Sequence, residues 1–300
     1  MKTYMVFDLG GTYIKYAVMD EEAGKLESGK LITPVSLEEF VQKITSIVQS
    51  LQSKYDFSGI AVSSPGAVDT HTGYIGGASA IPFIHDVNMI ELLENETGHQ
   101  VSIENDANCA ALAEGWLGAA KDTDYYICIV IGTGIGGSIV MNRSILKGSN
   151  LHGGEFGYML LGDPLDNPQR LNWSRTSSTH ALVREVERKK GLAMGALTGE
   201  QVFDSVNNGD IIASECVADF YKKLAAGIFN LKYILDPAKI LIGGGISKRS
   251  EVIDGINQEL KKLRNETATL DFRVEACHFD NDANLIGALF HLLNSGKSDY

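Results

Sequence analysis

Apolar residues crowd at positions 4–7, break at the run Asp8-Leu9-Gly10-Gly11-Thr12, and resume over 14–19. A short apolar run, a glycine turn and a returning run predict a hairpin. Apolar positions 37, 40, 41, 44, 47, 48 and 51 then follow helical spacing. Residues 59–62 predict a buried strand ending at Ser63-Ser64-Pro65-Gly66. Residues 101–103 predict another, ending at Glu104-Asn105-Asp106 ahead of a helix over 107–117.

The pattern then starts again. Residues 125–131 predict a strong strand, 132–137 a glycine turn and 138–141 a returning strand. Two strand, glycine loop, strand units about 125 residues apart suggest a duplicated domain with a phosphate loop in each copy. Helices are predicted over 179–189, 199–207 and 211–235, the last stopped by Asp236-Pro237 because proline cannot continue the turn. A strand over 239–242 runs into Gly243-Gly244-Gly245; a helix over 250–263, a strand over 272–275 and a helix over 281–293 complete the chain. Strands alternating with helices give an α/β class with two sheets, hinged near 117–123.

At 300 residues the chain can bury a core without metal or disulfide. Its formal charge is -12, and no cluster of Lys or Arg offsets that field locally. Nucleic acid is therefore excluded as a partner, whereas a small nucleotide held by backbone NH groups and magnesium is not. Cys109, Cys128, Cys216 and Cys277 lie far apart and form no CxxC pair, against a thiolate zinc site. The N-terminus reads as a strand entering a polar glycine turn rather than a signal region, and no apolar run approaches the roughly 20 residues of a membrane span. The expected compartment is the cytoplasm.

Four loops carry candidate chemistry. Asp8 stands at a strand end beside glycines that allow close approach to a ligand; it can hold magnesium through water while Thr12 and neighbouring NH groups cradle a phosphate. A plain hairpin turn is the alternative there. Gly132-Thr133-Gly134-Ile135-Gly136-Gly137 fails as a dinucleotide fingerprint, because a strand rather than a helix follows, and no Gly-Lys-Ser/Thr closes a Walker loop. A hairpin phosphate clamp with Thr133 as donor fits better. Asn105-Asp106 sits where α/β folds place reacting groups, so Asp106 reads either as a base for a hydroxyl or as the cap of the following helix. In His152-Gly153-Gly154-Glu155-Phe156-Gly157-Tyr158, Glu155 can accept from sugar hydroxyls and His152 can position the loop or touch the sugar; the spacing is not that of a zinc site. Trp116 and Trp173 are read as packing residues.

In this order the loops resemble the ROK family, bacterial-type sugar kinases of the sugar kinase, Hsp70 and actin superfamily. The resemblance rests on Asp8-Leu-Gly-Gly-Thr-Tyr-Ile-Lys15, Ser64-Pro65-Gly66, Glu104-Asn-Asp-Ala-Asn-Cys-Ala-Ala-Leu-Ala-Glu114, Gly132-Thr-Gly-Ile-Gly-Gly137, His152-Gly-Gly-Glu-Phe-Gly157 and Asp236-Pro237 followed by Gly243-Gly244-Gly245. It implies two actin-like, ribonuclease H-like lobes with a cleft between them: 1–118 completed by a helix at 281–300, and 119–280. It implies phosphorylation by ATP of a hexose or N-acetylhexosamine at O6, with glucose, N-acetylmannosamine or N-acetylglucosamine as acceptor; a β-glucoside acceptor, or a non-catalytic sugar sensor, is the alternative. Asp106 would be the general base, with Gly66, Asn105, His152 and Glu155 also on the sugar. Asp8, Gly10, Gly11, Thr12, Lys15, Gly132, Thr133, Gly134, Gly243, Gly244 and Gly245 would hold ATP and, through Asp8 and water, Mg2+. A homodimer is expected.

The chain departs from the family in three places. Many relatives carry histidine where Tyr158 stands, followed by a Cys-x-Cys-Gly-x-x-Gly-Cys zinc motif; here 159–173 contains no cysteine, so no structural zinc is expected. Relatives often carry asparagine near Ala80. Sugar-sensing repressors of the family place a helix-turn-helix segment before the first phosphate loop, whereas here Asp8 arrives at once.

Overall fold

The computed structural model describes residues 2–162, 171–264 and 268–295. Its contacts divide it into two compact units, 1–121 with 142–153 and 281–300, and 122–141 with 154–280. Residues 142–153 were expected with the second unit and cluster with the first, where the Lys147 ammonium pairs with the buried Glu104 carboxylate. The expected last helix is described over Ala283–Asn294; positions 296–300 lie outside the described residues.

In the first unit the chain runs β1 (Thr3–Leu9), β2 (Tyr13–Asp20), β3 (Lys25–Ile32), α1 (Leu37–Gln52), β4 (Phe57–Ser64), β5 (Ala67–Val68), β6 (Ile75–Gly76), α2 (Met89–Thr97), β7 (Val101–Asn105) and α3 (Asp106–Trp116). The large sheet has the order β3-β2-β1-β4-β7. β1 is antiparallel to β2 and parallel to β4, which is parallel to β7. Every residue of β1 is buried, as a central strand covered on both faces must be, so its sequence shows an apolar run rather than alternation. Met5, Phe7, Phe40, Ile44, Ile60 and Ile103 belong to the core of this unit. The helix Ala283–Asn294 packs on β1, β4, β7 and α3. It comes so close to α3 that a side-chain carbon on Gly287 would run into the Cys109 carbonyl.

Four of these elements were not predicted: the short pair β5 and β6, and the longer β3 and α2. β3 is an edge strand of mixed polar and apolar residues, Lys-Leu-Glu-Ser-Gly-Lys-Leu-Ile, and exists through its ladder to β2. α2 is framed by local signals: Asn88 accepts the Glu91 NH, and Gly98 ends the helix at φ 71°.

The second unit begins with β8 (Tyr125–Ile131) and β9 (Ile135–Met141), an antiparallel hairpin. The strand Lys239–Gly243 pairs parallel to β8, and Glu275–Ala276 parallel to that strand. The expected strand over 272–275 is thus displaced to Glu275–Ala276. Hairpin first and parallel neighbours after is the order in both units, the α/β arrangement expected of actin-like lobes. The turn is tighter than predicted, since Gly136 and Gly137 already pair with Val130 and Ile129. A side chain at Gly137 would collide with the Phe156 ring and the Cys128 carbonyl.

The helix Ile211–Leu235 matches its predicted bounds, with Asp210 accepting the Ala213 NH at the start and Asp236 at φ 46° at the end. Its Gly227 lies against the indole of fully buried Trp173, whose Nε1 donates to the Lys223 carbonyl at 3.2 Å. Trp116 packs its ring against Phe290 at 5.4 Å in the first unit. No described helix is long and apolar enough to cross a membrane.

Two outcomes follow for stability. Alanine is the better helix former by about 1 kcal/mol, yet Gly227→Ala should destabilise by about 1–3 kcal/mol in urea unfolding, because its methyl overlaps the Trp173 ring. On the C-terminal helix, burial holds the His291 imidazole below its ordinary 6.5; Glu104 opposes that shift, and Lys147 and His71 reinforce it. A base with a depressed folded value contributes stability above 6.5 that is lost as the pH falls through the folded value. His291→Gln should therefore lose less unfolding free energy than the parent between neutral and mildly acidic pH.

Candidate active site

The parallel strands β1, β4 and β7 end at one edge of the first sheet, the position where α/β folds present reacting groups. Asp8 pairs in register with Lys15 on one side and Ser63 on the other. Its carboxylate is 10% exposed and accepts from Ser63 Oγ at 3.1 Å and from Asn284 Nδ2 at 3.0 Å, with Lys15 Nζ at 3.7 Å. The turn beyond it is narrow: a side chain on Gly10 would meet the Tyr13 carbonyl, and one on Gly11 the Ala80 methyl. Thr12 is exposed, and its carbonyl accepts the Thr33 NH at 3.1 Å.

Gly66 follows β4 at φ 104°, where a side chain would strike Ile75, Gly76 and His85. Its carbonyl accepts from Asn105 Nδ2 at 3.0 Å. Asn105 Oδ1 accepts the Asn108 NH at 3.1 Å, so the helix cap is Asn105, and the alternative reading of Asp106 as that cap is corrected. The cap falls one residue earlier because Asn105 keeps extended backbone while Asp106 already belongs to the helix. Asp106 is partly exposed and accepts the Ala107 NH at 2.8 Å. His152 belongs to this unit and is exposed; its Nδ1 hydrogen-bonds the Asn150 carbonyl at 2.5 Å.

Beneath Asn105 lies a charge that the sequence reading did not single out. Glu104 is 1% exposed and accepts from the Asn105 NH at 2.7 Å, from Asn108 Nδ2 at 3.1 Å and from Lys147 Nζ at 2.8 Å. Lys147 lies 43 positions away in the sequence, and no local spacing pairs the two.

In the second unit, β8 and the parallel strand Lys239–Gly243 bring their two glycine loops side by side. Gly132 NH donates to the Gly134 carbonyl at 2.9 Å, leaving Thr133 exposed at the tip of the turn. Gly244, at φ 92°, lies so close to Ile131 that a side chain would overlap its carbonyl, and Gly245 is exposed beside it. Gly243 is buried, with Cys277 Sγ 3.2 Å from where its side chain would start, so it supports this edge from within the strand. Ser174 Oγ accepts the Ile135 NH at 2.8 Å and so fixes the far side of the turn. Glu155 belongs to this unit and is exposed, at the start of the short helix Phe156–Tyr158. Tyr158 is 72% exposed. Among the described residues no three His, Cys, Asp or Glu side chains gather as a metal site.

A family model described as ROK family matches residues 4–294. A beta-glucoside kinase of Listeria monocytogenes is 37% identical over 292 residues, covering 96% of each chain. Among solved structures, a ROK family protein of Streptococcus pneumoniae in complex with sucrose superposes with a TM-score of 0.91 at 35% identity, covering 98% of this chain and 99% of that one. A ROK family glucokinase of Streptomyces griseus in complex with glucose and AMPPNP gives 0.80 at 27% identity, covering 96% and 98%. The family model spans nearly the whole chain and the likeness in sequence and in fold covers almost all of it, so the chain belongs to the ROK family.

Proposed function

We propose that this protein transfers the γ-phosphoryl group of ATP to O6 of a hexose, and that its preferred acceptor is the glucosyl end of a β-glucoside. The observation that carries the reaction is Asp106, a partly exposed carboxylate at the mouth of three parallel strands, fixed by the capped start of α3. Free glucose or an N-acetylhexosamine was the first expectation from sequence; the likeness to beta-glucoside kinases brings the alternative acceptor forward.

In this reading Asp106 accepts the proton of the 6-hydroxyl as its oxygen attacks phosphorus, the bond from the γ-phosphorus to the β,γ-bridging oxygen breaks, and ADP leaves. Asn105 keeps an unused amide hydrogen and a lone pair beyond its bonds to Gly66 and Asn108, enough to orient a neighbouring hydroxyl. His152 Nε2 and the Glu155 carboxylate offer further polar contacts to a sugar. Backbone NH groups of Gly10, Gly11 and Thr12, and of Gly132 to Gly134 with Gly244 and Gly245, suit phosphates because no side chain shields the glycines. Lys15, 41% exposed, can add a positive charge there. Magnesium, when bound with ATP, supplies charge neutralisation of the phosphates; Asp8 fits a water-mediated contact to it, since a lone carboxylate suffices when phosphates provide other ligands.

Purified protein with magnesium and ATP should phosphorylate cellobiose with a higher kcat/KM than glucose, N-acetylmannosamine or N-acetylglucosamine, read by mass of the product. Absence of any phosphorylated sugar, with sugars still raising Tm, would replace the kinase by a sensor. Asp106→Asn should lower kcat by about 10²–10⁴-fold while cellobiose still raises Tm; retention of kcat within tenfold would remove Asp106 as the base. An exposed aromatic ring suits stacking on a second sugar, worth about 1 kcal/mol. Tyr158→Ala is therefore expected to raise KM for cellobiose about fivefold and leave that for glucose unchanged.

A further inference from the structure

Three segments assigned above to the acceptor sugar converge on Lys147, two through its ammonium group and one through its backbone carbonyl. Lys147 Nζ pairs with Glu104 Oε2 at 2.8 Å and Oε1 at 2.9 Å, and donates to the Val68 carbonyl at 3.3 Å. Val68 lies two residues beyond Gly66, and Glu104 directly precedes Asn105. Glu104 Oε1 also accepts the Asn105 NH at 2.7 Å, so the ion pair is bonded to the backbone that presents Asn105 and Asp106. The Lys147 carbonyl accepts the Gly153 NH at 2.8 Å, closing the loop that carries His152. Gly153 is packed against that loop so tightly that a side chain would overlap the Leu146 carbonyl.

We propose that the Lys147–Glu104 pair is a positioning device for the acceptor site: it holds the Gly66 strip, the Asn105-Asp106 corner and the His152 loop in one geometry. The inference rests on the kinase reading and adds to it a residue, Lys147, that contacts neither phosphate nor sugar. The physical case is the placement of the charges. Glu104 is 1% exposed and the Lys147 side chain 22% exposed, so each has lost most of its water, and pairing with hydrogen bonds is what compensates. A pair of this kind is weak support for stability as such, since apolar or neutral groups of the same shape often replace it at little cost. Its specific effect is geometric, because both carboxylate oxygens and several ammonium hydrogens are committed to named partners in different segments. Rate is sensitive to such placement: a misplacement of 1 Å can cost about 100-fold.

Stability and positioning separate in a double-mutant comparison. Lys147→Met leaves Glu104 buried without its cation and is expected to lower both Tm and kcat/KM for sugar. Adding Glu104→Gln removes the orphaned charge, and Tm should return to within a few degrees of the parent. In that double variant kcat/KM for cellobiose should remain at least tenfold below the parent, with KM for ATP within twofold of the parent. Recovery of kcat/KM together with Tm, or an equal loss in KM for ATP, would overturn the proposal. If Lys147→Met does not fold, the double variant decides alone by the same readings. The parent protein in the same assay separates the two failures: no product from the parent sinks the kinase reading, and an active parent with an unaffected double variant sinks this one.

Discussion

The parallel pairing of β1, β4 and β7 is the constraint from which the proposed acceptor site follows. Parallel neighbours in register, Asp8 beside Ser63 and Ser64 beside Asn105, must end at the same edge of the sheet. Three loops distant in sequence are thereby brought together without any of them having to be long or structured by itself. Parallel strands need both faces covered, and α3 and the C-terminal helix supply part of that cover. Their close crossing at Gly287 fixes α3, and with it the capped corner that carries Asp106. The second sheet applies the same rule to β8 and Lys239–Gly243, so two glycine loops meet there for the same reason.

Burial then sorts the polar groups by task. Glu104 is nearly enclosed and spends its oxygens on neighbours, whereas Asp106, Glu155 and Thr133 keep exposed or partly exposed polar atoms. An enclosed carboxylate stabilises a local geometry only if its hydrogen bonds are complete. An exposed one remains available to a ligand. In the proposed reading Glu104 is the rigid support and Asp106 the reactive group, two residues apart along one chain, because the strand ends between them and the helix begins. His291, hydrogen-bonded to Ser102 at 2.7 Å, extends the enclosed network toward the C-terminal helix.

Much of this was legible in the residues alone. The hairpin loop after β1, the capped junction at 104–106, the glycine loop after β8 and the helix Ile211–Leu235 are local events, set by apolar spacing, glycine, proline and capping side chains within a few positions. The α/β class and the family followed from their order. α2 could have been found from Asn88 and Gly98, which frame it. β3 could not, because its polar residues become a strand only when β2 offers a ladder. Spacing alone makes Asp106 as good a cap as Asn105, because one residue of backbone conformation separates the two roles and spacing does not resolve one residue.

By itself, the sequence determined the α/β class, the repeated hairpin and glycine loop, and a set of polar residues at strand ends, since each depends on interactions between near neighbours. Tertiary structure decided which of those residues are enclosed and which stay available, and it alone joined Glu104 to Lys147, Asp8 to Asn284 and Gly227 to Trp173. Such pairs form only after strands and helices have packed, when loss of water forces each polar group to find a partner and each close approach to do without a side chain.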